Sequence, residues 1–259
     1  MLSKAKTKYI RSLELKKNRL SEDVFVAEGP KVVGDLLTRF RPRLIVATQQ
    51  WFDTTMRTAH YAAISTAELV IVTPDELERA SFLRAPQEVL AVFEMEALLS
   101  APPTLPSDTL TLVLDDVQDP GNVGTIIRTA DWFGIRQIIC SQGTADAFSP
   151  KVVQATMGAL ARVGVYYTDL KGFLAKQPKG TPVYGTFLEG TNIYRHPLSQ
   201  HGIIIMGNEG NGISPAVSRF VTQKLFIPPY PAIGDTSESL NVAIATAVTL
   251  AEFRRRAAL

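Results

Sequence analysis

Cysteine is almost missing: Cys140 is the only one in 259 residues. No intramolecular disulfide can form, which fits a reducing compartment. It lies in the apolar run Arg136-Gln-Ile-Ile-Cys140, where a buried strand thiol is expected rather than a nucleophile. Histidine is nearly as scarce. His60, His196 and His201 lack metal-ligand spacing and have no cysteine cluster to join, so no metal is expected. No apolar run approaches the ~18 residues of a membrane span, and the charged N-terminus has no apolar signal core. A soluble, cytoplasmic chain without membrane partners is expected. Net charge is small too, at +2, too little to argue for a nucleic-acid partner by itself.

The charge is unevenly placed, however. Lys4, Lys6, Lys8, Arg11, Lys16, Lys17 and Arg19 precede residue 21, opposed only by Glu14. Such a cluster can neutralise phosphates by counterion release, or it can be a solvated helix face. Charge alone leaves both open. With 46% hydrophobic residues, the chain can bury two modest cores, and disorder is not expected over most of its length.

The clearest linker is Ser100-Ala-Pro-Pro-Thr-Leu-Pro-Ser-Asp108, because its prolines donate no backbone hydrogen bonds and favour extended chain. It divides the chain into a domain at 1–99, a linker at 100–108 and a domain at 109–259. In the first, strands are expected at Leu44–Ala47, Leu69–Val72 and Val89–Phe93, with a helix at Pro74–Ala80. The second alternates more regularly. Strands read at Leu110–Leu114, Ile135–Cys140, Val165–Tyr167, Val183–Phe187, Ile203–Met206 and Leu225–Ile227. Helices read at Val123–Phe133, Pro150–Arg162 and from about Asn241 onward. Buried strands alternating with helices imply an α/β fold with a parallel sheet covered on both faces.

Ligands of such sheets gather at the carboxyl ends of strands, where three polar loops stand. Asp115-Asp-Val-Gln-Asp-Pro-Gly-Asn-Val-Gly-Thr-Ile-Ile-Arg128 opens a helix with Asn122 as its expected cap. Arg128, among apolar neighbours, is expected to face an anion. Met206-Gly-Asn-Glu-Gly-Asn-Gly212 holds glycines that admit a ligand to the main chain, with Glu209 its single charge. Its spacing departs from a Rossmann dinucleotide fingerprint, which disfavours an oxidoreductase. Third, Ile227 to Val242 contains Ser239 and Asn241, either of which can cap the final helix. That helix is apolar nearly all round, so both faces are expected to be buried. Arg254, Arg255 and Arg256 suit its dipole.

Taken together, Asn122-Val-Gly-Thr-Ile-Ile-Arg128, Met206-Gly-Asn-Glu-Gly-Asn-Gly212, Ile227-Pro and Ser239-Leu-Asn-Val242 resemble the motifs of the SpoU, or TrmH, family of RNA 2′-O-methyltransferases in the SPOUT superfamily. Tyr9-Ile-Arg-Ser-Leu through Phe25-Val-Ala-Glu-Gly29 is similar to the L30e-like substrate-binding domain of many members. The resemblance implies a parallel-sheet catalytic domain with a deep trefoil knot, a homodimer, and S-adenosylmethionine as methyl donor. It implies donor contacts at Thr186, Gly207, Ile227 and Leu240, a catalytic Arg128, and an acceptor site around Asn122, Glu209, Ser239 and Asn241. The expected substrate is a ribose 2′-hydroxyl in ribosomal RNA, with transfer RNA as the alternative and a catalytically inert RNA-binding module as the rival. One departure concerns 230–237, longer than the family pattern, with Ala243 where a serine is common. A guanidinium scarcely acts as a base, so Arg128 is expected to bind phosphate and stabilise developing alkoxide, with the proton passing to phosphate or water.

Overall fold

The computed structural model describes residues 1–58, 61–95, 108–230 and 237–257. Apart from Asp108, the linker read at 100–108 lies outside the described residues, as does most of the 230–237 extension. Contacts group the chain into two units, Met1–Leu99 with Asp146–Ala161, and Ser100–Ala145 with Arg162–Leu259.

The first unit begins with α1 (Lys4–Ser12), α2 (Lys16–Glu22), β1 (Val24–Glu28) and α3 (Pro30–Leu36). Then come β2 (Pro42–Ala47), α4 (Gln49–Thr55), α5 (Tyr61–Ile64), β3 (Glu68–Ile71), α6 (Pro74–Ala80) and β4 (Val89–Glu94). The three expected strands and the helix at Pro74 are all present. α6 starts sharply because Thr73 and Glu76 form a reciprocal capping box ahead of Pro74. β1 is an addition to the sequence reading. Its residues are all buried, but its apolar run is only four residues long and closes on the carboxyl of Glu28. That carboxyl accepts hydrogen bonds from the Ser81 hydroxyl and, at 2.8 Å, the Phe82 amide. Desolvation pushes its pKa up, and these bonds oppose the shift only in part. The sheet order is β1-β4-β2-β3, with β4 antiparallel to both neighbours and β2 parallel to β3.

The basic N-terminal cluster is only partly free. Arg19 is 2% exposed, pairs with Asp146, and donates to the carbonyls of Leu13 at 2.7 Å and Glu14 at 2.6 Å. Lys6 pairs with Glu68 at 2.9 Å, and Arg11 donates to the Ser81 carbonyl while lying over the Phe82 ring. Lys4, Lys8 and Lys17 are exposed. The cluster is therefore a mixture, part fold and part solvated face, because its members lie on different sides of two short helices.

The remaining elements are β5 (Leu110–Leu114), α7 (Pro120–Trp132), β6 (Gln137–Cys140), α8 (Pro150–Ala155), β7 (Gly164–Tyr167) and α9 (Leu170–Ala175). They end with β8 (Val183–Asn192), β9 (Gly202–Met206), α10 (Pro215–Ser218), β10 (Gln223–Phe226) and α11 (Val242–Ala257). The six strands form the expected all-parallel sheet, in the order β10-β8-β9-β5-β6-β7. Cys140 is buried, and burial pushes its thiol pKa up.

The helix read at Pro150–Arg162 is shorter than expected. Met157 (φ 51°) and Gly158 (φ 89°) take left-handed backbone and break it before a 3₁₀ turn at Ala159–Ala161. This stretch groups with the first unit, where α8 packs on β1. Phe148 meets Phe25 with ring centroids 5.2 Å apart.

The final helix buries one face within the single chain. Thr246, Thr249, Leu250 and Phe253 are buried, but Ile244 is 53% exposed and Ala251 is exposed. One face thus turns to solvent in the single chain. Glu252, buried within the helix, is bonded by Arg255 and Arg256, each at 2.8 Å. The Arg255 hydrogen bond leads in holding its pKa down, at about 2. Arg254 donates at 2.7 Å to the Phe133 carbonyl, tying α11 to the end of α7. The three arginines therefore make specific bonds beyond any dipole effect.

Candidate active site

Parallel register brings the carboxyl ends of three strands of the second unit level. Leu114 of β5 is opposite Met206 of β9, and Gly185 of β8 is opposite Ile205. The chain leaving each end therefore starts from a common edge. Asp115 begins one loop, Gly207 another, and Thr186 sits at the same level on β8.

Asp119, not Asn122, caps α7. Its Oδ1 accepts from the Asn122 amide at 2.8 Å, and Pro120 occupies the first turn. A proline suits that turn because its missing N–H needs no partner, and this signal points one residue back, to Asp119. Asn122 is thereby released for other work. Its Nδ2 donates to Glu209 Oε1 at 2.9 Å, and its Oδ1 accepts from Asn241 Nδ2 at 2.9 Å. Asn241 Oδ1 in turn accepts from Ala243 N at 2.9 Å and Ile244 N at 3.3 Å, capping α11. One hydrogen-bonded chain joins all three motif segments.

Glu209 is held tightly although exposed. Its carboxylate also accepts from the Gln118 and Asp119 amides, each at 3.2 Å. Desolvation pushes its pKa up, but the Asn122 side chain and the surrounding backbone amides outweigh it and hold the carboxyl below its ordinary range. An ionised carboxylate with its oxygens so occupied is a positioning group and a poor base.

The glycines of this loop serve its own backbone. A Cβ on Gly207 would lie 2.2 Å from the Gly212 carbonyl carbon and 2.3 Å from the Ile213 nitrogen. Asn208 and Gly212 exchange backbone hydrogen bonds of 2.9 Å, with Gly212 at φ 66°. Asn208 Nδ2 reaches the Asp116 carbonyl at 2.7 Å, and its Oδ1 accepts from Gly210 and Asn211, each at 3.0 Å. Asp116 itself has φ 57° and accepts from the Ser141 hydroxyl. Buried Asp115 accepts from the Ser214 amide at 2.7 Å. Asp115, Asp116, Asp119 and Asn208 were not singled out in the sequence. For Asp115 and Asp116 the signal was an acidic pair directly after a buried strand, and for Asp119 it was the proline that follows.

The other expected residues are more dispersed. Thr186 is half-buried, its hydroxyl 3.4 Å from the Ile205 carbonyl and 3.7 Å from Met206 Sδ. Ile227 is half-buried directly after β10, whereas Ser239 and Leu240 are exposed. Ser239 makes no hydrogen bond among the described residues. Arg128 is exposed and has no partner among them. It shares the outward stripe of α7 with Thr125 and Trp132, at the spacing of one helix face, and Trp132 is 85% exposed.

Chemically, the strand ends offer main-chain groups, a hydroxyl and apolar carbon, with no Lys or Arg among Thr186, Gly207, Ile227 and Leu240. That set fits a nucleoside carrying a sulfonium and does not suit a pyrophosphate. Among the described residues, no group of three or more His, Cys, Asp or Glu could hold a metal ion, and no helix is long and apolar enough to cross a membrane.

Comparison with known proteins agrees with this geometry. Residues 109–251 match the family model described as the SpoU rRNA Methylase family, and residues 4–91 match an MRM3-like substrate binding domain. The 23S rRNA (guanosine(2553)-2′-O)-methyltransferase RlmP of Bacillus subtilis (strain 168) is 30% identical, over 96% of this chain and 96% of that protein. A TrmH-family protein from Porphyromonas gingivalis superposes with a TM-score of 0.86 at 45% identity, covering 99% of each chain. The AdoMet-bound rRNA methyltransferase of Sinorhizobium meliloti gives 0.84 at 28% identity, over 99% of this chain and 96% of that one.

Proposed function

Because the chain belongs to the SpoU rRNA methylase family, we propose that it methylates a ribose 2′-hydroxyl of ribosomal RNA with S-adenosylmethionine. The observation that carries this reading is the Glu209–Asn122–Asn241 hydrogen-bonded chain at the strand ends. It ties together the three segments that the chemistry needs. The bound donor supplies a methyl group on sulfonium, an electrophile. The protein must then hold the hydroxyl in line with it and accommodate charge on the oxygen. Holding two reactants in place contributes several kcal/mol.

In this reading Thr186, Gly207, Ile227 and Leu240 line the donor pocket. Asn122, Asn241 and Ser239 orient the acceptor ribose, and Glu209 fixes Asn122. Arg128 binds the neighbouring phosphate and stabilises the alkoxide as it develops. With no partner among the described residues, its donors are left for that task. The domain division is 1–99 for substrate binding, 100–108 as linker and 109–259 for catalysis, Asp146–Ala161 of the last being grouped by contacts with the first unit, and the final segment forms a trefoil knot.

We further propose a cytoplasmic homodimer. Trp132 on α7 and Ile244 on α11 are exposed on two helices that pack together, and a second copy would cover them by an isologous contact. Arg128, on the Trp132 face, then lies at the subunit boundary.

The test is methyl transfer from tritiated S-adenosylmethionine to ribosomal RNA. Arg128→Ala should abolish transfer while donor affinity by calorimetry stays nearly unchanged. Equal turnover by the variant removes Arg128 from the mechanism. No transfer by the wild type, together with no donor binding, would instead favour an inert RNA-binding module.

A further inference from the structure

Two adjoining depressions of about 250 and 450 Å³ open on the first unit, with Pro30, Gln50 and Glu88 in the walls of both. The sheet explains their place. β1, β2 and β3 run one way and β4 the other. Pro30 after β1, Gln50 after β2, Pro74 after β3 and Glu88 before β4 therefore meet at one edge. The walls are mixed, with Pro30, Pro86 and Trp51 apolar and Gln50 and Glu88 polar.

Glu88 stands out among them. It is a non-glycine residue at φ 45°, a conformation that persists only where its surroundings enforce it and that clusters at functional sites. Its carbonyl accepts from the Thr48 amide at 2.8 Å, which locks the backbone. Its side chain is half-buried and makes no hydrogen bond or ion pair among the described residues. A carboxylate repels phosphate, so the group it faces must be a hydrogen-bond donor. Sequence-specific RNA recognition takes unstacked bases and reads their edges. Among the RNA bases, guanine alone presents two adjacent donors, N1–H and N2–H, to match two carboxylate oxygens.

From this we propose that the cleft takes one unstacked guanine of the RNA substrate, with its N1–H and N2–H on the Glu88 carboxylate and its ring against Pro30 and Pro86. Arg84, exposed and without a partner among the described residues, precedes Pro86 in the same loop and meets the backbone phosphate. This guanine is a recognition contact and not the methylated nucleotide. The inference rests on the RNA methyltransferase reading above.

The test uses fluorescence anisotropy of the full chain with fluorescein-labelled seven-nucleotide RNAs carrying guanosine, inosine or adenosine at the centre. Guanosine should bind about tenfold tighter than inosine, which lacks the 2-amino donor. Glu88→Gln should erase that preference by lowering guanosine affinity more than inosine affinity. Gln50 is exposed and lines both depressions. Gln50→Trp should therefore crowd the cleft and also lose the preference, and it decides the matter if Glu88→Gln unfolds. Equal binding of guanosine and inosine, or a preference that survives both variants, overturns the proposal. If ribosomal RNA is still methylated in that case, only the guanine site fails. If no RNA binds or is methylated, the functional reading fails with it.

Discussion

Asn241 does two jobs through opposite ends of one amide. Its oxygen caps α11, and its nitrogen orients Asn122. The jobs can be separated. Asn241→Asp keeps an acceptor suited to capping but loses the donor, so stability in urea should hold while the single-turnover rate falls by about tenfold or more through misplaced reactants. Asn241→Ala removes both, and should also lose about 1 kcal/mol of stability. A rate unchanged in the Asp variant would confine Asn241 to capping. Arg128, Asn122 and Glu209 could be picked out of the sequence because polar groups beside glycine, after a buried strand, mark a strand-end loop. Their wiring could not. That Asn122 spans Glu209 and Asn241 depends on Asp119 capping α7, and on residues more than eighty positions apart meeting at one sheet edge.

At the scale of elements, the helix start at Thr73-Pro74 was legible because a cap and proline coincide, whereas the same pairing at Asp119-Pro120 was passed over in favour of Asn122. Strands were legible where apolar runs are unbroken, as at Ile203–Met206. β1 was not, because a buried carboxyl reads as a surface residue until its partners are known. The same blindness applies to Glu252, a charge inside the final helix. Its folded pKa of about 2, against an ordinary value of 4.5, gives a defined pH dependence. A depressed pKa contributes stability that is present above about pH 4.5 and is lost as pH falls toward 2. Glu252→Gln should therefore lower the melting temperature at pH 7 by a few degrees, roughly 2–4 °C per kcal/mol for a chain of this size. The gap to the wild type should close as pH drops below about 4.5. A gap independent of pH would show that packing, not charge, sets Glu252's contribution.

On the scale of the whole molecule, the parallel sheet with helices on both faces was legible from alternation alone. That the apolar final helix needs a subunit interface or a place inside the fold was legible too, but which face is left exposed, at Ile244, was not. If a second copy covers Ile244, Ile244→Glu should shift the light-scattering mass from dimer to monomer. It places a charge where apolar contact is needed, and each partner suffers it once. A wild-type mass of one chain would refute the dimer. The transfer of Asp146–Ala161 to the first unit was beyond sequence reading, because nothing in its composition distinguishes it from the residues on either side.

That transfer bears on how the protein could be taken apart or recombined. The polypeptide enters the first unit twice, so a single cut near residue 100 does not separate two finished pieces. An N-terminal fragment would leave the Arg19 guanidinium buried with no countercharge and one side of the Phe25 ring bare. Exchange of the recognition module between relatives would have to carry Asp146 and Phe148 along with it, as a graft in two strokes.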